Sequence, residues 1–95
     1  MKILKEAIAG SVESSDVMIT LKPASSNSIN ITSSVMKQFG KQINDLIESL
    51  IKKYDVDGVE VTINDQGALD YVIEARFLAA LGRANEDFKI KWEDN

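Results

Sequence analysis

The stretch Ile8-Ala9-Gly10-Ser11-Val12-Glu13-Ser14-Ser15-Asp16-Val17-Met18-Ile19-Thr20-Leu21 alternates on both sides of a polar break. Before the break, Ile8, Gly10 and Val12 share one face; after it, Val17, Ile19 and Leu21 do. Period-two alternation over short runs marks strands. The break itself, Glu13-Ser14-Ser15-Asp16, is made of side chains that bond their own backbone and so favour turns. The reading is a β-hairpin with Ser14 and Ser15 at its tip. Pro23, the only proline, ends the second strand because it has no N–H to give to a ladder.

Working outward, residues 24–34 are rich in Ser and Asn, with Ile29 and Ile31 alternating as in a third short strand. Val35, Phe39, Ile43, Leu46, Ile47, Leu50, Ile51 and Tyr54 then recur at three- and four-residue steps, the apolar stripe of a helix. Ser33 or Ser34 suits its start, and Lys52 and Lys53 suit the negative end of its dipole. Val59, Val61 and Ile63 predict another half-buried strand. Asp65 stands as a cap for a second helix, whose face carries Leu69, Val72, Ile73, Phe77, Ala80, Leu81 and Ala84. Ile90 and Trp92 punctuate a charged tail. Strands followed by helices in this order predict one α+β domain over residues 1–95: a small, mostly antiparallel sheet with an N-terminal β-hairpin, covered on one face by two helices as a two-layer sandwich.

Composition narrows what such a domain can do. Its 95 residues are 44% hydrophobic and 27% charged, an ordinary globular balance, and the net charge of −4 argues against nucleic acid as a partner. With no histidine there is no imidazole base, no Ser-His-Asp triad and no usual zinc site. With no cysteine there is no disulfide, thiol nucleophile or thiolate ligand. The start of the chain lacks the apolar stretch of a signal peptide, and no apolar run approaches the roughly 20 residues of a membrane span. The expectation is a cytoplasmic domain that is not itself an enzyme.

Individual motifs add little catalysis. Asp55-Val56-Asp57-Gly58 imitates the opening of a calcium loop, but its glycine is at the fourth place and Gln66 stands at the twelfth. Asn30-Ile31-Thr32 spells a glycosylation acceptor, which an intracellular chain does not use. No metal ligand set and no acid–base pair stand out. The hairpin tip remains. A serine there is exposed and approachable, yet it has no base beside it, so it is a hydroxyl for another enzyme to modify rather than a nucleophile of its own. Glu13 and Asp16 flank it as two carboxylates, which would repel a phosphate ester and direct it outward.

The segment Ala9-Gly10-Ser11-Val12-Glu13-Ser14-Ser15-Asp16-Val17-Met18-Ile19 resembles the N-terminal signature of the citrate lyase acyl carrier proteins, the gamma chains of that enzyme. The resemblance runs on through Ser33-Ser34-Val35-Met36-Lys37-Gln38-Phe39-Gly40, Gly58-Val59, Asp65-Gln66-Gly67-Ala68-Leu69-Asp70, Glu74-Ala75-Arg76 and Trp92-Glu93-Asp94, nearly the whole chain. It implies that Ser14 carries a phosphodiester-linked prosthetic group, 2'-(5''-triphosphoribosyl)-3'-dephospho-CoA. Some members of the family have glycine where Ser15 stands. The resemblance also implies partners: the alpha subunit, which exchanges acetyl for citrate on the carrier; the beta subunit, which cleaves the citryl thioester to oxaloacetate; and a transferase that attaches the group. Two other readings stay open, the carrier of a citramalate lyase and an interaction module regulated by phosphorylation of the tip serine.

Overall fold

A computed structural model describes residues 1–34 and 36–91. The chain forms β1 (Ala7–Gly10), β2 (Val17–Pro23), β3 (Ser28–Ser33), α1 (Met36–Lys53), β4 (Val59–Asp65) and α2 (Asp70–Ala84). Alternating apolar residues account for the strands: Val17, Ile19, Leu21, Val59, Val61 and Ile63 are all buried, while their neighbours face outward. The sheet runs β1-β2-β4-β3, with β1–β2 and β2–β4 antiparallel and β3–β4 parallel. A parallel pair needs a crossover, and α1 supplies it.

The register stacks the core into rows across the sheet. Ala9, Ile19, Ile63 and Ile31 form one row, and Ala7, Leu21, Val61 and Ile29 the next. A third row, nearest the hairpin tip, reads Val17, Asp65, Ser33 and so turns polar at the edge of the core. Both helices cover this one face: α2 lies on β1 and β2, α1 on β3, and the two touch each other. Ile43, Ile47 and Leu50 of α1 meet Ile73, Phe77, Ala80, Leu81 and Ala84 of α2 in the same core. The small, mostly antiparallel sheet and the two helices on one face are as expected.

Several details differ from expectation. β1 buries Ala7 and Ala9 and leaves Ile8 and Val12 exposed, one residue out of phase with the alternation taken from sequence. The reason is register: only Ala7 and Ala9 stand beside Leu21 and Ile19 under α2, and small side chains suit the close approach of a helix. Phe39 is on the stripe's phase but 43% exposed, because the first turns of α1 overhang the end of the core. Leu69 is 61% exposed and precedes α2 rather than packing in it. Val35 and Trp92 lie outside the described residues. Asp65 does not cap α2 directly; it holds the turn before it. The end of α1 is closed by a Schellman pattern: Asp55 takes a φ of 50°, its N–H reaches the Lys52 carbonyl at 3.2 Å, and Val56 N–H reaches that of Ile51 at 2.9 Å.

Candidate functional site

The tip of the β1–β2 hairpin is a four-residue turn, Glu13–Asp16, in which the Asp16 N–H donates to the Glu13 carbonyl at 3.1 Å. Ser14 and Ser15 occupy its two central places and both are exposed. Ser15 has a φ of 66°, the left-handed conformation required at the second central place of a type II turn and most comfortable for glycine. Just before the turn, Gly10 has a φ of 90°, and a Cβ built there would fall 1.8 Å from the Val17 carbonyl oxygen. The strands close over that position, so only glycine fits. The Ser11 N–H donates to the same Val17 carbonyl at 3.2 Å.

Asp16 holds the turn from beneath. Its carboxylate accepts from Ser11 Oγ at 2.6 Å, from the Val17 N–H at 2.7 Å, and from Arg76 Nε and a terminal guanidinium nitrogen at 3.1 Å each. The aspartate side chain is only 16% exposed. The Ser11 hydroxyl, then the Arg76 guanidinium and the Val17 N–H, hold its pKa down from 3.8 to about 2. This corrects the expectation that both flanking carboxylates would repel a phosphate ester at the tip. Glu13 is exposed, but Asp16 is turned inward and its charge is matched by a paired guanidinium, so only one of the two acids beside the serine pair is left unpaired and exposed.

The turn is also tied to the loop after β4. The Ser15 N–H donates to the Gln66 carbonyl at 2.8 Å, and the Gln66 N–H donates to the Asp16 carbonyl at 2.9 Å. Gln66 is itself placed by Asp65, whose buried carboxylate accepts from Ser33 Oγ at 2.8 Å and from the Ala68 N–H at 3.0 Å. The Asp65 carbonyl meanwhile accepts from the Ser34 N–H at 3.1 Å. The tip is therefore a fixed platform that leaves the Ser14 and Ser15 side chains exposed. Ser14 Oγ makes no hydrogen bond to another described residue, so no described side chain is engaged with it as a base.

Sequence reading placed Ser14 and Ser15 at the tip but missed the Arg76–Asp16 pair and the buried Asp65. One signal for the pair was available. Arg76 falls between Ile73, Phe77 and Ala80 on an apolar stripe, where a cation needs a carboxylate opposite. Among the described residues there is no cluster of three acidic side chains that could hold a metal, and no helix is long and apolar enough to cross a membrane.

A family model described as the malonate decarboxylase delta subunit (MdcD) matches residues 4–84 of the chain. The citrate lyase acyl carrier protein of Lacticaseibacillus casei is 47% identical over 95 residues, covering 99% of this chain and 94% of that one. The chain belongs to the citrate lyase acyl carrier protein family. The corresponding protein of Haemophilus influenzae is 45% identical over 93 residues, with 98% and 97% of the two chains covered. A solved Pseudomonas malonate decarboxylase hetero-tetramer contains a chain of the same fold, with a TM-score of 0.78, 24% identity and 87% of each chain covered. Members of the citrate lyase acyl carrier family carry acyl groups rather than act on them. This chain is accordingly a non-catalytic carrier subunit.

Proposed function

We propose that this carrier serves citrate lyase and that Ser14 is where its prosthetic group, 2'-(5''-triphosphoribosyl)-3'-dephospho-CoA, is joined through a phosphodiester. The observation that carries the reading is the pairing of an exposed, unengaged Ser14 hydroxyl with a turn locked by Asp16, Arg76 and Gln66. The residues present suit the group. A phosphodiester at Ser14 needs one accessible oxygen and open space, and the inward, paired Asp16 leaves a single nearby acid, Glu13, to repel it. When bound, the group supplies the thiol that the sequence lacks, on which acyl groups travel as thioesters.

The chain's own residues have a mechanical task. Gly10 and Ser15 supply the two left-handed φ angles that bring the strands together and turn them back. Arg76, from α2, fixes the orientation of Asp16, and Asp16 fixes Ser11 and the start of β2. The Ser14 backbone is thus pre-set before any partner arrives, which removes an ordering cost from each encounter. The partners in this reading are the citrate lyase alpha and beta subunits and the transferase that loads Ser14, all met in the cytoplasm. Substrate choice rests with those subunits, so the carrier of a citramalate lyase would be built alike.

Peptide mapping of the chain after incubation with its loading enzyme tests the assignment. Ser14→Ala should abolish loading and keep the fold, whereas Ser15→Ala should still load. Modification that survives in Ser14→Ala and vanishes in Ser15→Ala moves the site to the neighbouring serine. An intact mass raised only by a phosphate would instead favour a module regulated by phosphorylation.

A further inference from the structure

The end of the molecule that carries Ser14 also contains a cleft. Here the carboxyl ends of β3 and β4 meet the amino ends of α1 and α2, and a cleft of about 590 Å³ opens between α1 and the β4–α2 loop. That size is within the roughly 300–1,000 Å³ of small-ligand sites. Phe39, Leu69 and Tyr71 line it, and they are 43%, 61% and 71% exposed. Large apolar groups gathered around one depression, rather than scattered singly, point to an occupant. The polar lining is selective. Gln42 Nε2 lies 3.2 and 3.4 Å from the two Asp70 carboxylate oxygens, and Asp65 closes the floor. Asp65 and Asp70 both stand in the lining, and two carboxylates disfavour phosphate. A secondary amide suits it: its N–H can donate to Asp70 and its carbonyl can accept from Gln42.

The cleft wall adjoins the clasp of the tip along the chain. Gln66, which clasps Ser15 and Asp16, is followed directly by Gly67, part of the cleft wall. From Gln66 to Asp70 is four residues, at most about 14 Å even if fully extended. We propose that this cleft is an intramolecular berth for the neutral, amide-bearing outer portion of the arm carried on Ser14, so that the arm rests along the β4–α2 loop between visits to partners. The proposal depends on Ser14 as the attachment point. A shallow site is enough, because tethering raises the local concentration of the arm, to roughly millimolar where the linker is flexible. The inward turn of Asp16 removes one of the two charges that would have driven the arm outward.

The test uses the full chain with isotope-labelled Leu, Phe and Tyr, loaded or not, with loading verified by intact mass and mapping at Ser14. Loading should move the Leu69 methyl signals and the Phe39 and Tyr71 ring signals. Free pantetheine at millimolar concentration should move the same signals in unloaded Ser14→Ala protein. In the double variant Leu69→Ser with Tyr71→Ser, both exposed positions outside the core, the chain should load as before. Its terminal thiol should then react severalfold faster with a disulfide reagent than in the parent. Cleft signals unmoved by loading and by pantetheine, or equal thiol reactivity in parent and double variant, would overturn the berth; that is the result expected if the cleft instead docks a partner subunit. An unmodified Ser14 would overturn the attachment reading separately, since the pantetheine titration does not depend on it.

Discussion

Asp16 shows how much one side chain can organise. Four hydrogen bonds converge on its carboxylate, joining β2, the hairpin turn and α2. Its folded pKa of about 2 lies below the ordinary 3.8, so the ionised form stabilises the fold, fully so above about pH 5. That contribution is lost as the pH falls from about 4 through 2. Urea midpoints should therefore be lower for Asp16→Asn than for the parent at pH 7, and the gap should narrow steadily on acidification below about pH 4. Gly10 makes a sterner demand. Gly10→Ala puts a methyl 1.8 Å from a backbone oxygen at a φ of 90°, and should cost at least about 2 kcal/mol in a denaturant titration. Neither role can be read from composition. Glu13 and Asp16 look alike in sequence, two acids flanking a serine pair, and only the arrival of Arg76 from 60 residues away turns one of them inward.

At the scale of elements, periodicity identified each helix and strand, because burial of alternate or every third and fourth residue is what makes these segments fold. It could not show where the core ends. Phe39 and Phe77 both sit in phase with buried neighbours, yet one overhangs the sheet and the other is completely enclosed. Phe77→Ala should cost about 3–5 kcal/mol and Phe39→Ala well under 1 kcal/mol, a contrast that thermal melts of the two variants will read. The slip in β1 has the same origin: alternation gives two possible faces, and the partner strand chooses between them. The end of α1 offers a gain. Asp55 occupies the left-handed position of a Schellman cap, so Asp55→Gly should raise stability by about 0.5–1 kcal/mol, seen as a melting point higher by a few degrees.

Over the whole molecule, the two ends have different work. At one end Met1, Asn27 and Asp57 knit the N-terminal segment, the β2–β3 loop and the start of β4: the Asn27 carboxamide accepts from the Gly58 and Val59 N–H groups at 2.8 and 2.9 Å, and the Asp57 N–H reaches the Met1 carbonyl at 3.0 Å. At the other end lie the turn, both helix starts and the cleft. The chain has neither histidine nor cysteine. Purified and loaded but without its partner subunits, the protein should form no oxaloacetate from citrate in a coupled assay; measurable turnover would contradict its role as a carrier alone.

The clasp between Ser15, Asp16 and Gln66 has a consequence for load. If Ser14 is the attachment point, as proposed, any group swung from it toward a distant active centre pulls on its anchor. A hairpin standing by itself would flex under that pull, and part of each stroke would be spent bending the tip. Here the force passes through the two Gln66 hydrogen bonds into β4, and through the Arg76 guanidinium into α2. β4 is paired with β2 over its whole length and with β3 from Glu60 to Asp65, so the sheet takes the strain as one body. The anchor is stiff, and the compliance of a swinging arm is left to the arm.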